Sequence, residues 1–242
     1  MANNKYGLSR DIPSAVKREI RQNSGFGCVI CGLGIWEYEH IDPEFTECTV
    51  HDPEKMTLLC PQCHSKKTKG FIDKGTILAA MKNPKAMQKG FSNEFFTLGN
   101  NQPVIFFGSN SFQDCDILLR VDNINIIQVF QPELPGGPFR FSGVFFDKNG
   151  KKTLEIDMNE WKAYSDNWDV DITGSLITIR EKIGKISLSI KAMPPNSILI
   201  ERLDMTINSH NIICEKGILK INNDIVENIF IAEFHIGIDV VV

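Results

Sequence analysis

Two Cys-x-x-Cys pairs are the residues of this chain whose types and spacing point most directly to chemistry. The pairs are Cys28 with Cys31 and Cys60 with Cys63, and 28 residues lie between them. Four thiolates held in two such turns can reach one tetrahedral zinc ion. In a chain that shows no secretion signal, paired cysteines of this spacing favour metal binding over disulfides. We therefore predict a structural Zn²⁺ site at these four cysteines.

A carboxylate and two imidazoles lie between and after the cysteine pairs, and by themselves they are weak evidence of function. Glu39 and His40 are adjacent, and His64 follows the last cysteine directly. Neighbouring strand residues point to opposite faces, so we expect that Glu39 and His40 do not both bind the same ion. A neutral imidazole can instead act as a general base near neutral pH.

These residues lie in segments that resemble the four-cysteine form of the HNH endonuclease family. The first Cys-x-x-Cys is followed by EHIDP at 39–43 and by LLCPQCHSKKT at 58–68. The resemblance covers about residues 9–75 and implies a ββα-metal fold that cleaves DNA. It further implies that Glu39 and His64 bind a catalytic Mg²⁺ or Mn²⁺ ion and that His40 is the general base.

The chain departs from the family pattern at Lys55. Many members have an asparagine there that orients the general base, whereas a lysine cannot accept a hydrogen bond from an imidazole. His51 is the nearest substitute, either as a ligand or as a partner of His40, and an ordinary loop histidine is the alternative. Because of this departure, a degenerate module that does not cleave DNA is a further alternative.

Positive charge follows the predicted ligands and indicates contact with DNA phosphates. Residues 1–90 contain 13 Lys and Arg against 10 Asp and Glu, and residues 91–242 contain 13 against 20. A solvated, lysine-rich helix is the alternative interpretation. The predicted phosphate contacts are Lys66, Lys67 and Lys69, with Arg18 and Arg21 as additions.

The hydrophobic pattern predicts the elements that position these residues. A helix is expected over 12–22, strands over 36–41 and 56–59, and a helix from Pro61 to Lys69. We assign residues 1–75 to the zinc-binding nuclease domain. Residues 76–94 are interpreted as a basic linker that contains a short helix.

Short β-branched and aromatic runs separated by turn residues dominate the chain from residue 95 onward. This spacing predicts an acidic all-β domain over 95–242, built as a sandwich, a barrel or a short solenoid. The expected fold class is therefore α+β. We expect the second domain to act in sensing, oligomerisation or targeting.

The composition excludes several other classes of protein. Hydrophobic residues make up 42% and charged residues 23% of the 242 residues, which is ordinary for a globular protein. No segment has the length and apolar character of a membrane span, and the first residues lack the apolar core of a signal peptide. We expect a cytoplasmic protein without a membrane partner.

The function expected from the sequence is metal-dependent HNH endonuclease activity on DNA. The β domain would control or target the nuclease, through a small-molecule or protein regulator or through a homo-oligomer, in restriction or phage defence. The alternative is a non-catalytic zinc-stapled module that binds nucleic acid or another protein.

Overall fold

The computed structural model describes residues 3–241 and has an α+β fold. The chain forms two compact units. The first contains the described residues up to Glu94 together with Ala163–Asp171, and the second contains Phe95–Lys162 and the chain from Ile172 onward. Among the described residues, no helix is long and apolar enough to cross a membrane.

The first unit is built around a β-hairpin followed by a helix, as the sequence predicts. The strands β1 (Glu37–His40) and β2 (Met56–Leu59) are antiparallel, and Glu39 lies opposite Thr57. The helices α1 (Ser14–Asn23) and α2 (Pro61–Thr68) precede and follow the hairpin. Pro61 occupies the first turn of α2, where the missing backbone N–H is tolerated.

Two hydrophobic clusters fix the helices of this unit. Ile20 of α1 packs with Met56 and Leu58 of β2, and all three are buried. The second cluster joins the four cysteines to Val29, Ile41, Leu59 and Ile77. The helix face predicted from Ile12, Val16 and Ile20 therefore packs on one cluster, while the four cysteines lie in the other.

The segment predicted as a linker over 76–94 contains the short helix that the sequence predicts and further regular structure. The chain here forms α3 (Lys74–Lys82), α4 (Lys85–Lys89) and β3 (Phe91–Phe95). Asp73 begins α3, because its carboxylate accepts a hydrogen bond from the Thr76 backbone N–H at 2.9 Å. Ile77 has no exposed surface and joins the cysteine-containing cluster, so this helix is part of the first unit.

The segment Ala163–Asp171 also belongs to the first unit, although its neighbours in the chain belong to the second. Asp169 accepts two hydrogen bonds from the Arg21 guanidinium, both at 2.8 Å. The Asp171 carboxylate lies 3.4 Å from the same guanidinium, and Tyr38 accepts a third hydrogen bond from it at 2.7 Å. The Gln22 side chain donates to the Trp168 carbonyl at 2.6 Å. This segment thus supplies the partners of a buried arginine.

The second unit is a large curled β sheet, which agrees with the all-β expectation. Its strands run in the order β11-β12-β13-β4-β5-β6-β7-β8, with β14, β15 and β16 extending from β13 and β17 pairing parallel to β5. The bounds are β4 Val104–Phe107, β5 Asn110–Val121, β6 Ile124–Phe130, β7 Arg140–Phe146, β8 Lys152–Asp157, β11 Leu176–Lys182, β12 Lys185–Met193, β13 Ser197–Ile207, β14 His210–Glu215, β15 Ile218–Ile221, β16 Asp224–Val226 and β17 Phe230–Val240. Two further strands, β9 (Glu160–Tyr164) and β10 (Asp169–Thr173), each have residues in both units.

Tight hairpins explain the short spacing between these strands. Asp122 and Asn123 both have positive φ, 46° and 64°, and connect β5 to β6. Asn208 and Ser209 do the same between β13 and β14. Asn and Asp tolerate this backbone region and are favoured in two-residue hairpin turns. The inner face of the sheet is filled by large side chains such as Phe141, which is fully buried.

Candidate functional site

The first cysteine pair lies in a tight turn before β1. The Cys28 N–H donates to the Leu33 carbonyl at 2.8 Å, and the Gly32 N–H donates to the Cys28 carbonyl at 2.7 Å. Gly32 has a φ of +83°, a conformation that costs glycine little. Cys60 is the N-cap of α2, and its Sγ accepts from the Cys63 N–H at 3.4 Å. Local backbone structure therefore directs each pair of thiols inward.

The four thiols come together as one cluster that fits a metal ion. Their sulfur atoms all lie within 4.8 Å of one another, and Cys31 Sγ is 3.6 Å from Cys60 Sγ. Thiolates bound to one tetrahedral zinc ion lie about 3.8 Å apart. The cluster is therefore compatible with a structural metal ion such as zinc.

The pKa values of the thiols indicate how readily the four cysteines lose their protons when no cation is bound. The adjacent Cys31 thiol lowers the pKa of Cys28, because its hydrogen bond stabilises the thiolate. The same neighbour, Cys28, raises the pKa of Cys31, and burial raises the pKa of Cys63 to about 12. The crowded thiols thus resist losing more than one proton unless a cation offsets the charge.

A second cluster combines Glu39 of β1 with two residues of α2. The Glu39 Oε2 atom lies 3.2 Å from His64 Nε2, and Oε1 accepts a hydrogen bond from Lys67 Nζ at 2.6 Å. His64 and Lys67 are three positions apart on α2, so they lie on the same face of the helix. Glu44 lies farther from the ammonium, at 3.5 Å. The two oxygens of Glu39 therefore have different neighbours.

The pair Glu39 Oε2 and His64 Nε2 fits a divalent cation as two adjacent ligands. Two ligands at right angles around a small ion with bonds of 2.1 Å lie about 3.0 Å apart, close to the observed 3.2 Å. Magnesium commonly takes only one or two protein ligands and completes its shell with water and substrate phosphate. Glu39 and His64, which form an ion pair here, could therefore be two ligands of such an ion.

His40 lies in a different environment from its neighbour Glu39. Its Nε2 is 3.0 Å from His51 Nδ1, and His51 Nε2 is 3.0 Å from the Ser9 carbonyl oxygen. A carbonyl can only accept, so His51 Nε2 carries the proton and His51 Nδ1 accepts from His40 Nε2–H. The chain of hydrogen bonds places the lone pair of His40 on Nδ1.

Burial keeps His40 neutral. Only 8% of the residue is exposed, and the Phe45 ring lies 5.3 Å from the imidazole ring. Burial, and to a smaller extent His51, lower the pKa of His40 to about 4, while Glu39 opposes the shift. His40 is consequently an uncharged imidazole near neutral pH, the form that can accept a proton.

The residues predicted to contact DNA fall into two groups. Lys66 and Lys69 are exposed at the end of α2. Lys67, however, is bonded to Glu39, and Arg18 lies over the Trp168 ring at 5.0 Å. Arg21 is buried and bound to Asp169, so its guanidinium is not available to a phosphate. We therefore leave Arg21 out of the DNA-binding surface.

Lys55 lies where the family resemblance places an asparagine, and its side chain takes no part in the His40 contacts just described. Its ammonium is exposed and lies 3.5 Å from Asp52, while its carbonyl accepts from the Ile41 N–H. His51 contacts His40 instead.

Three participants could not be identified from the sequence. The Ser9 carbonyl contributes through its backbone, which leaves no signal in a residue type. Glu44 is one of several acids in its segment, and only its distance to Lys67 distinguishes it. Asp169 is 148 residues away from Arg21 in the chain.

Comparison of the chain with protein families, with curated proteins and with solved structures returns no match. The interpretation of the site therefore depends on its own geometry.

Proposed function

We propose that the first unit is a metal-dependent endonuclease of the HNH type that hydrolyses DNA phosphodiester bonds. The observation that carries the proposal is that two adjacent strand residues, Glu39 and His40, have different partners. Glu39 joins His64 in a pair of donors suited to a divalent ion, and His40 has an oriented, neutral imidazole. The hairpin followed by α2 that holds them supports a ββα-metal interpretation.

In this proposal His40 removes a proton from the attacking water through Nδ1. His51 acts as the positioning residue, because its hydrogen bond to the Ser9 carbonyl sets the tautomer of both rings. His51 thereby takes the part that an asparagine has in the related pattern, while Lys55 contacts Asp52.

Glu39 and His64 would hold Mg²⁺ or Mn²⁺, which when bound polarises the scissile phosphate and stabilises the leaving oxygen. Lys66 and Lys69 would contact neighbouring phosphates without reading the base sequence. The four cysteines would hold a structural Zn²⁺ ion that fixes the start of α2 and, through it, His64. The β unit would target or control cleavage, in restriction or phage defence.

The test is plasmid cleavage by the purified full chain with Mg²⁺ or Mn²⁺. We expect nicking or cutting by the wild type and a loss of at least about 100-fold in His40→Ala, the usual contribution of a general base. His51→Ala should lower the rate less, because the base remains but its tautomer is no longer fixed. Lys74→Met, which removes an exposed ion pair with Asp42, is the control and should cleave normally.

Equal cleavage by wild type and His40→Ala would contradict the catalytic assignment. Binding of DNA without cleavage under any divalent metal would favour the alternative, a zinc-stapled nucleic-acid-binding module.

A further inference from the structure

The contacts of Lys67 have no role in the proposed cleavage of DNA. It was expected to contact DNA, but its ammonium is bonded to Glu39 and only 17% of its side chain is exposed. An exposed lysine such as Lys66 would suffice for a phosphate contact. A lysine beside a carboxylate that would bind a cation needs a different explanation.

Lys67 gives the two oxygens of the Glu39 carboxylate different partners. Oε1 accepts the lysine hydrogen bond at 2.6 Å, which leaves Oε2 beside His64 Nε2 at 3.2 Å. A carboxylate held in this way presents Oε2 to an ion more readily than Oε1. Hydrogen-bonding partners of ligating groups commonly fix ligand orientation in this manner.

Lys67 also offsets the charge that would attract the ion. Glu39 contributes one negative charge and Lys67 one positive charge, while a neutral His64 contributes none. Glu44 is the remaining acid of the cluster, and 60% of its side chain is exposed. A divalent cation therefore meets a nearly neutral pair of ligands until a phosphate brings negative charge to the site.

We propose that Lys67 is a positioning residue that makes divalent-metal binding at Glu39 and His64 depend on DNA. Without DNA the offset charge keeps metal affinity low, and with DNA the phosphate restores the attraction. Because coupling between two ligands is reciprocal, the metal must strengthen DNA binding by the same factor. This inference rests on the metal site of the proposed function and adds its regulation.

The test measures Mn²⁺ binding to the zinc-loaded full chain through the electron paramagnetic resonance signal of free Mn²⁺. The protein carries His40→Ala, so that an added DNA duplex is not cut and both proposed ligands remain. The variants compared in this background are Lys67→Met, Lys67→Arg and Lys74→Met. Lys67→Met keeps a long side chain without its charge, and Lys67→Arg keeps the charge. Lys74→Met controls for the loss of one lysine from the same unit.

Without DNA, we expect Lys67→Met to bind Mn²⁺ roughly tenfold or more tightly than the reference, since a nearby positive charge is gone. Lys67→Met should therefore bind Mn²⁺ without DNA at concentrations at which the reference needs DNA, while DNA tightens binding by a similar factor in both, because the charges of Lys67 and of the phosphate act additively on the ion. Lys67→Arg and Lys74→Met should retain the affinity and the DNA dependence of the reference. Unchanged or weaker Mn²⁺ binding by Lys67→Met would overturn the proposal.

The variant Glu39→Gln, made in the same His40→Ala protein, distinguishes failure of this inference from failure of the proposed function. If Glu39→Gln loses Mn²⁺ binding while Lys67→Met behaves like the reference, the metal site stands and the role of Lys67 is refuted. If Glu39→Gln binds Mn²⁺ as well as the reference, the metal site is elsewhere and both proposals are refuted.

Discussion

The buried ion pair between Arg21 and Asp169 makes a strong prediction about stability. The exposed fractions of the two side chains are 6% and 2%, and they share two hydrogen bonds of 2.8 Å. The change Asp169→Asn keeps the shape but removes the charge and turns an N–H group toward the guanidinium. Removing one partner of a buried ion pair costs about 3–5 kcal/mol. Asp171 lies 3.4 Å from Arg21 and keeps one negative charge nearby, so we expect a loss near the lower value.

Urea unfolding followed by tryptophan fluorescence measures this loss in the first unit. The chain has three tryptophans, and Trp36 and Trp168 belong to the first unit while Trp161 belongs to the second. A Trp161→Phe reference therefore reports the first unit alone. At a slope of about 1–3 kcal/mol per molar urea, Asp169→Asn should lower the midpoint by roughly 1–3 M.

The matched control is Asp239→Asn, because Asp239 also makes a two-bond pair with an arginine, Arg120, but at the surface. Followed by circular dichroism, it should leave the unfolding curve unchanged, since exposed ion pairs contribute little. If Asp169→Asn unfolds at the midpoint of its reference, the buried pair does not stabilise the first unit and the reasoning is refuted.

Further predictions concern the metal sites, the DNA surface and the packing of α3. The wild type should contain one zinc ion per chain, and Cys60→Ser should lose both the zinc and cooperative unfolding of the first unit, as elemental analysis and melting curves can show. His64→Ala should keep its zinc and its melting temperature yet lose cleavage, and an unfolded His64→Ala would instead make His64 part of the structural site. Lys66→Met and Lys69→Met should each reduce the slope of log affinity against log salt by about 0.9, as measured by DNA titration; unchanged slopes would remove α2 from the DNA surface. Ile77→Ala should lower the free energy of unfolding by about 2–5 kcal/mol, whereas a neutral change would mean that α3 does not stabilise the first unit.

Local sequence signals predicted the cysteine cluster and the elements around it well. The four cysteines share short spacings, and α1, the hairpin and α2 carry their own periodicity and turn residues, so each is determined by nearby residues. The separation of Glu39 from His40 followed from the alternation of side chains along a strand. The expected all-β character of the second part was also correct.

Features that depend on distant residues were not predicted. The segment 76–94 looked like a linker because of its glycines, proline and lysines, but buried Ile77 holds it in the core. Arg21 looked like a DNA contact because its partner Asp169 is 148 residues away. Lys67 is indistinguishable from Lys66 in sequence, and only its position on the helix directs it to Glu39.

The assignment of Ala163–Asp171 to the first unit has a consequence for protein synthesis. The partner of Arg21 is made 148 residues after Arg21 itself. At bacterial and eukaryotic elongation rates of about 5–20 residues per second, this delay is roughly 7–30 seconds. During that interval the nascent chain already contains its cysteines, Glu39, His40 and His64, but Arg21 lacks its carboxylate. We therefore expect the proposed nuclease to reach its full stability only after about half of the β unit has been translated, so that a chain terminated before Asp169 would be a poor enzyme.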